Sequence, residues 1–236
     1  MNSRRFVEAY NRIDEELRRL AQSDRRETFR RVLQAAAQCS PVVRTYEREI
    51  AKYGELRNAI VHEAVSPDFV IAEPHPDVVE QIEKIAALLL DPPKVGSVAT
   101  LDVKWLEVND PITRALHWSK THSISLFPVY DKGRFVGLLG PKCIARWLAG
   151  APVGDCIRVD EVRVYEVLAY DERGGRNVAF LGPDASVFDA IALFAQVPQS
   201  GHPRLEAILV TEHGRPNHRL LGIITPKDVL GMRNAV

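Results

Sequence analysis

The chain has 236 residues, enough for two ordinary domains, and its 46% hydrophobic and 26% charged residues exclude a disordered or fibrous protein. Lys plus Arg balances Asp plus Glu at 31 each, so global charge offers no steering toward nucleic acid. Cys39, Cys143 and Cys156 have neither metal nor pairing spacing, the start MNSRRF leads into no apolar stretch, and no apolar run reaches bilayer length. The expectation is a cytoplasmic protein with no membrane partner.

The first part, to about Asp91, reads as all helix. Phe6, Tyr10, Ile13, Leu17 and Leu20 alternate four and three apart and make one apolar stripe. Arginines 4, 5, 12, 18, 19, 25, 26, 30 and 31 crowd this region, but Glu8, Asp14, Glu15, Glu16, Asp24 and Glu27 interleave, which reads as a solvated face. Asp24 with Glu27 predicts the start of a second helix, with Phe29, Val32, Leu33 and Ala36 buried. A third helix is expected from near Pro41 through Val43, Tyr46, Ile50 and Tyr53, with a kink or fresh start at Gly54. A fourth opens at His75-Pro76-Asp77, Pro being allowed in the first turn, with Val78, Ile82, Ile85 and Leu89 inward. Asp91-Pro92-Pro93 stops it and reads as a linker.

Beyond Gly54 an otherwise apolar helical run carries Arg57-Asn58-Ala59-Ile60-Val61-His62, which that kink or fresh start would set at an angle. Arg is a permanent cation shaped for phosphate, and His exchanges a proton near neutral pH. At about 100° per residue Asn58 and His62 share a face, while Arg57 lies about 140° from His62, so one helix does not easily aim both at one phosphate.

The second part alternates short apolar runs, bounded by Gly and Pro, with helical stretches, and it repeats. Pro128-Val129-Tyr130-Asp131-Lys132-Gly133-Arg134, running on to Gly137-Leu138-Leu139-Gly140-Pro141-Lys142-Cys143, returns as Leu209-Val210-Thr211-Glu212-His213-Gly214-Arg215. An insertion follows in the second copy, and then Leu221-Gly222-Ile223-Ile224-Thr225-Pro226-Lys227-Asp228. Upstream, Asp110-Pro111-Ile112-Thr113-Arg114-Ala115-Leu116 answers Asp184-Ala185-Ser186-Val187-Phe188-Asp189-Ala190-Ile191. Each copy predicts a helix, a hairpin and a second helix opened by Pro-Lys, too small to stand alone, so the two should pack together.

The repeat resembles a pair of CBS domains, from roughly Val95 to Met232, most specifically over Gly222–Asp228. The resemblance implies two copies docked through their sheets, with two clefts for adenosine-type ligands. Thr225 and the free amides of the last helix are suited to phosphate, and Asp228 to ribose hydroxyls. The strand Val178-Ala179-Phe180 is then expected against the base, and AMP, ADP or ATP is the implied regulatory ligand. A plain helix cap remains the other reading of Thr225 and Asp228. The first copy departs from the pattern: Gly140 stands for Thr and Cys143 for Asp, so its cleft lacks the ribose acceptor. His202 and Arg204, ahead of the second copy's strand, read as ordinary loop residues.

The helical part with Arg57, Asn58 and His62 resembles the HEPN superfamily. That resemblance implies a homodimer in which two copies of the motif face one another. His62 would act as general base or acid, Arg57 would stabilise phosphate charge, and Asn58 would orient His62 or the substrate. RNA is the implied substrate, and no metal is expected. Two readings stand: a metal-independent endoribonuclease, or a non-enzymatic binding, dimerisation or regulatory module in which Arg57 pairs with a carboxylate and His62 is structural. The expected architecture is α+β: a helical bundle at 1–92, then α/β copies at 95–152 and 155–236.

Overall fold

The computed structural model describes residues 2–24, 26–62, 73–150, 158–171, 174–196 and 204–229. The chain divides into two compact units, Met1–Pro93 and Lys94–Val236.

In the first unit α1 (Asn2–Ala21) packs on α2 (Phe29–Cys39), α3 (Pro41–His62) and α4 (Pro76–Leu90), and α2 packs along α3. Phe6, Tyr10, Ile13 and Leu17 form the buried stripe of α1, against Val32, Leu33, Ala36, Val43, Ile50, Tyr53, Ile82 and Ile85. Ion pairs occupy the charged surface: Arg4 with Glu8, Arg5 with Glu83, Arg18 with Asp14, Arg19 with Glu16.

Three local expectations change. The second helix opens at Phe29, not at Asp24. Residues 24 and 27 instead close a turn, and the Arg18 guanidinium donates to the Asp24 and Glu27 carbonyls at 3.1 and 3.4 Å, so these carbonyls bond back to α1. In α4 the inward residue is Val79, with Val78 half-buried. The third helix runs without interruption through Gly54. A Cβ at Gly54 would stand 2.8 Å from the Phe29 ring, so this glycine serves close approach of α2 to α3 rather than a bend.

The second unit holds two three-stranded sheets of the same design. In the first, β1 (Leu106–Glu107) pairs parallel with β2 (Phe127–Asp131), which pairs antiparallel with β3 (Arg134–Leu139). Helix α5 (Ile112–His122) connects β1 to β2, and α6 (Pro141–Ala149) follows β3. After α7 (Val164–Leu168) the second sheet repeats the order with β4 (Val178–Leu181), α8 (Val187–Ala195), β5 (Ala207–Thr211) and β6 (Leu220–Ile224), and a helix opens at 226–229. The first hairpin turns on Lys132 and Gly133, both at positive φ (49° and 80°), the conformation that a two-residue hairpin requires.

The sequence repeat and the packed halves do not coincide. The segment leading into the first copy packs on the second: Val95 N donates to Ala185 O at 2.8 Å, Thr100 exchanges bonds with Ile223, and Val95 joins the core of Val187, Ile208, Val210 and Ile224. The segment leading into the second copy packs on the first: Val164 N donates to Asp110 O at 2.9 Å, and Val164 and Val167 join Leu106, Phe127, Val129 and Leu139. Leu138, Ala207, Leu209 and Ile223 form a third cluster, where the copies meet. Reciprocal exchange of the leading segments, together with this shared cluster, makes the two copies one folding unit.

Candidate functional sites

The helix at 226–229 begins where β6 ends. Thr225 is its cap residue, and Pro226 stands at the first position, where a missing N–H costs nothing. The Thr225 amide and hydroxyl both donate to Asp228 Oδ2, at 2.7 and 2.8 Å. Ser186 and Asp189 at the start of α8 repeat the arrangement, at 2.9 and 2.7 Å. The helix-cap reading of Thr225 and Asp228 is thus realised. Because both bonds end on Oδ2, a ligand hydroxyl could be received at Oδ1.

The corresponding position in the first copy is a different chemistry. Gly140 caps α6 without a side chain, and Cys143 is buried, its thiol donating to Val167 O at 2.9 Å. Cys143 is a core residue of that copy, and Val167 comes from the exchanged segment.

At the same end of the sheets lies a cavity of about 500 Å³, bounded by Leu126, Pro141, Lys142, Arg204, Glu206 and Pro226. Both helix starts reach it through their prolines. Glu206 accepts from Asn177 Nδ2 at 3.2 Å and lies 3.6 Å from Lys142 Nζ. Arg204 is therefore placed on a cavity wall. His202 lies outside the described residues.

Strand β4 separates two expected neighbours of the base. Ala179 packs on the core of the second copy and Phe180 on the cluster between copies, where its ring meets Phe135 edge to face at 5.2 Å. Successive strand residues point to opposite faces, so only one of the two side chains can address any one cleft.

In the helical unit Arg57 and Asn58 sit near the C-terminal end of α3, with Arg57 Nη1 at 3.5 Å from Asn58 Oδ1. The Arg57 guanidinium carbon lies 6.0 Å from the centre of the Tyr10 ring. Burial pushes the Tyr10 phenol up to about 12, with Asp14 raising it further while Arg57 and Arg18 oppose. Asn58 lines a cavity of about 490 Å³ together with Tyr10, Phe29, Arg30, Gly54 and Glu55. His62 is part of α3, but its side chain lies outside the described residues. The proximity of Tyr10 to Arg57 is not legible in the sequence. Tyr10 belongs to the apolar stripe of α1, and no local signal marks a stripe residue as the neighbour of a motif 47 positions on.

Among the described residues no group of three or more His, Cys, Asp or Glu could hold a metal ion, and no helix is long and apolar enough to cross a membrane.

No curated protein matches the chain. Several solved structures are similar. A CBS-domain-containing protein from Kribbella flavida is 15% identical over 61% of this chain and 99% of its own, with a TM-score of 0.47. A CBS-domain-containing protein from Agrobacterium tumefaciens is 19% identical, covering 59% of this chain and 98% of its own, with a TM-score of 0.42. A CBS domain pair in complex with 5′-methylthioadenosine and S-adenosyl-L-methionine is 21% identical, covering 61% and 98%, with a TM-score of 0.43. The family match falls on one segment of the chain, the repeat copy that carries Thr225 and Asp228: residues 175–233 match the CBS domain.

Proposed function

We propose that the chain is an adenine-nucleotide sensor in which ligand at the second repeat copy controls the helical unit. The observation that carries this reading is the Thr225–Asp228 pair, at a helix start inside the segment that matches the CBS domain. Asp228 accepts from ribose hydroxyls through Oδ1, and Thr225 and the first amides of the helix face phosphate. The backbone of β4 flanks the base, with either Ala179 or Phe180 supplying a side chain. The first copy offers Gly140 and a buried Cys143, so it takes no ribose.

The helical unit is the output in this account. It is a HEPN-like homodimer that brings two copies of Arg57, Asn58 and His62 to one cleft. One His62 takes the proton of the ribose 2′-hydroxyl as its oxygen attacks phosphorus, and the other protonates the departing 5′-oxygen, leaving a cyclic phosphate. Arg57 stabilises charge on the phosphate oxygens. The cavity lined by Asn58, Tyr10 and Arg30 supports a substrate-binding role beside the motif. A non-enzymatic dimerisation module is the second reading, favoured by the position of Arg57 against the Tyr10 ring.

RNA cleavage in EDTA tests the pair of readings. The enzyme reading expects activity that responds to AMP or ATP and is lost in His62→Ala. Cleavage unchanged in His62→Ala would be contamination. An inactive parent whose sedimentation shifts with nucleotide would establish the dimerisation module.

A further inference from the structure

The two hairpins of the second unit differ in one respect. The turn from β2 to β3 is the pair Lys132-Gly133, whereas the turn from β5 to β6 spans residues 212–219. The extra residues extend to the opposite end of β6 from Thr225. There Asn217, His218 and Arg219 form one wall of a cavity of about 340 Å³, and Trp105, Glu107 and Tyr130 of the first copy form the other. That volume is at the lower end for small-molecule sites.

Three features of this cavity call for a ligand. Trp105 is 47% exposed, leaving a large aromatic surface in water where burial would be favourable. Tyr130 is 6% exposed and its hydroxyl has no hydrogen-bond partner among the described residues, a costly state for a buried donor. Burial pushes this phenol up to about 12, so it remains a donor throughout the neutral range. The charges are of both signs: the half-buried Glu107 carboxylate, approached by the Lys132 amide at 3.4 Å, and the exposed Arg219 guanidinium. A simple cation would meet Arg219 and a simple anion would meet Glu107.

We propose that this cavity, between Trp105 and the inserted 216–219 segment, binds a small zwitterion of amino-acid type. Its cationic end lies over the Trp105 ring, which already stands edge to face with Tyr130 at 5.8 Å, and pairs with Glu107. Its carboxylate pairs with Arg219 and accepts from Tyr130. Such a ligand contacts both repeat copies and ties them together.

The probes are free L-arginine and agmatine, which keeps the guanidinium and lacks the carboxylate, titrated into the full chain and followed by calorimetry and tryptophan emission. Arginine is expected to bind saturably at millimolar concentration or below, with agmatine weaker by at least roughly tenfold, since it loses the two charge-assisted bonds to Arg219 and Tyr130. Glu107→Gln should weaken both probes, Arg219→Gln should weaken arginine alone, and Asp228→Ala should change neither. Unchanged circular dichroism confirms that each variant is folded. No saturable arginine binding, equal binding of agmatine, or competition from AMP for this cavity would overturn the proposal.

Discussion

Asp228 closes on Thr225 twice, through the amide at 2.7 Å and the hydroxyl at 2.8 Å, and so holds the start of the last helix with a single carboxylate oxygen. A residue in this position carries a structural and a ligand-binding consequence at once, and the two separate by experiment. Asp228→Ala should lower unfolding stability by about 1 kcal/mol, the usual effect of losing a helix cap. Asp189→Ala at the matching position of α8 should lower stability by about the same amount and leave nucleotide binding untouched, which urea unfolding and titration of each variant would establish.

Cys143 occupies the position equivalent to Asp228 and is wholly different in environment. It is 1% exposed and donates to Val167 O. Cys143→Ala should lower stability by about 1–2 kcal/mol, through a small cavity and the lost thiol bond to Val167 O, which keeps its bond from Tyr170 N, without affecting nucleotide affinity. Cys143→Asp should be far more damaging, because it buries a carboxylate in the apolar cluster of Leu106, Phe127 and Leu139. Equal stability of the alanine and aspartate variants in urea would contradict this account of the first copy.

Gly54 lets α3 lie against Phe29. Gly54→Val should destabilise the protein by about 1–3 kcal/mol, since the new side chain meets the Phe29 ring and forces a shift. Urea unfolding of the two forms measures it, and an unchanged midpoint would mean that the contact has no energetic weight.

Tyr10 and Tyr130 are both pushed up to about 12 by burial. Their pKa is higher folded than unfolded, where a phenol titrates near 10, so the stability they contribute is present in full below about pH 10. It is lost as pH rises from about 10 through about 12. Tyr10→Phe should flatten that loss. Arg57→Gln should raise the Tyr10 midpoint further, because Arg57 favours the phenolate. Ultraviolet titration of the phenols reads this directly. A Tyr10 midpoint that falls in Arg57→Gln would contradict the placement of Arg57 beside the ring.

The spacing of Phe6, Tyr10, Ile13 and Leu17 was sufficient to place the first helix, because a period near 3.6 is a local property of the chain. The repeat was legible for a similar reason: the two copies carry the same hairpin and helix-opening residues at matched offsets. The exchange of leading segments was not, since nothing in Val95 or Val164 records that it packs on the other copy. Gly54 is ambiguous in the sequence, because a glycine that bends a helix and one that admits a neighbouring ring look alike there. At the candidate nucleotide site the Thr225–Asp228 spacing gave both the cap and the ligand reading, whereas the cavity at Trp105 depends on residues brought together from both copies.

The most direct test of the central claim is calorimetric titration of AMP, ADP and ATP into the parent chain, Asp228→Ala and Cys143→Ala. The account predicts saturable binding of at least one nucleotide by the parent and by Cys143→Ala. Asp228→Ala should lose about 1.5–3 kcal/mol, the scale of hydrogen bonds to a charged acceptor. No binding by the parent, or equal loss in both variants, would contradict the assignment of Asp228 as the ribose acceptor.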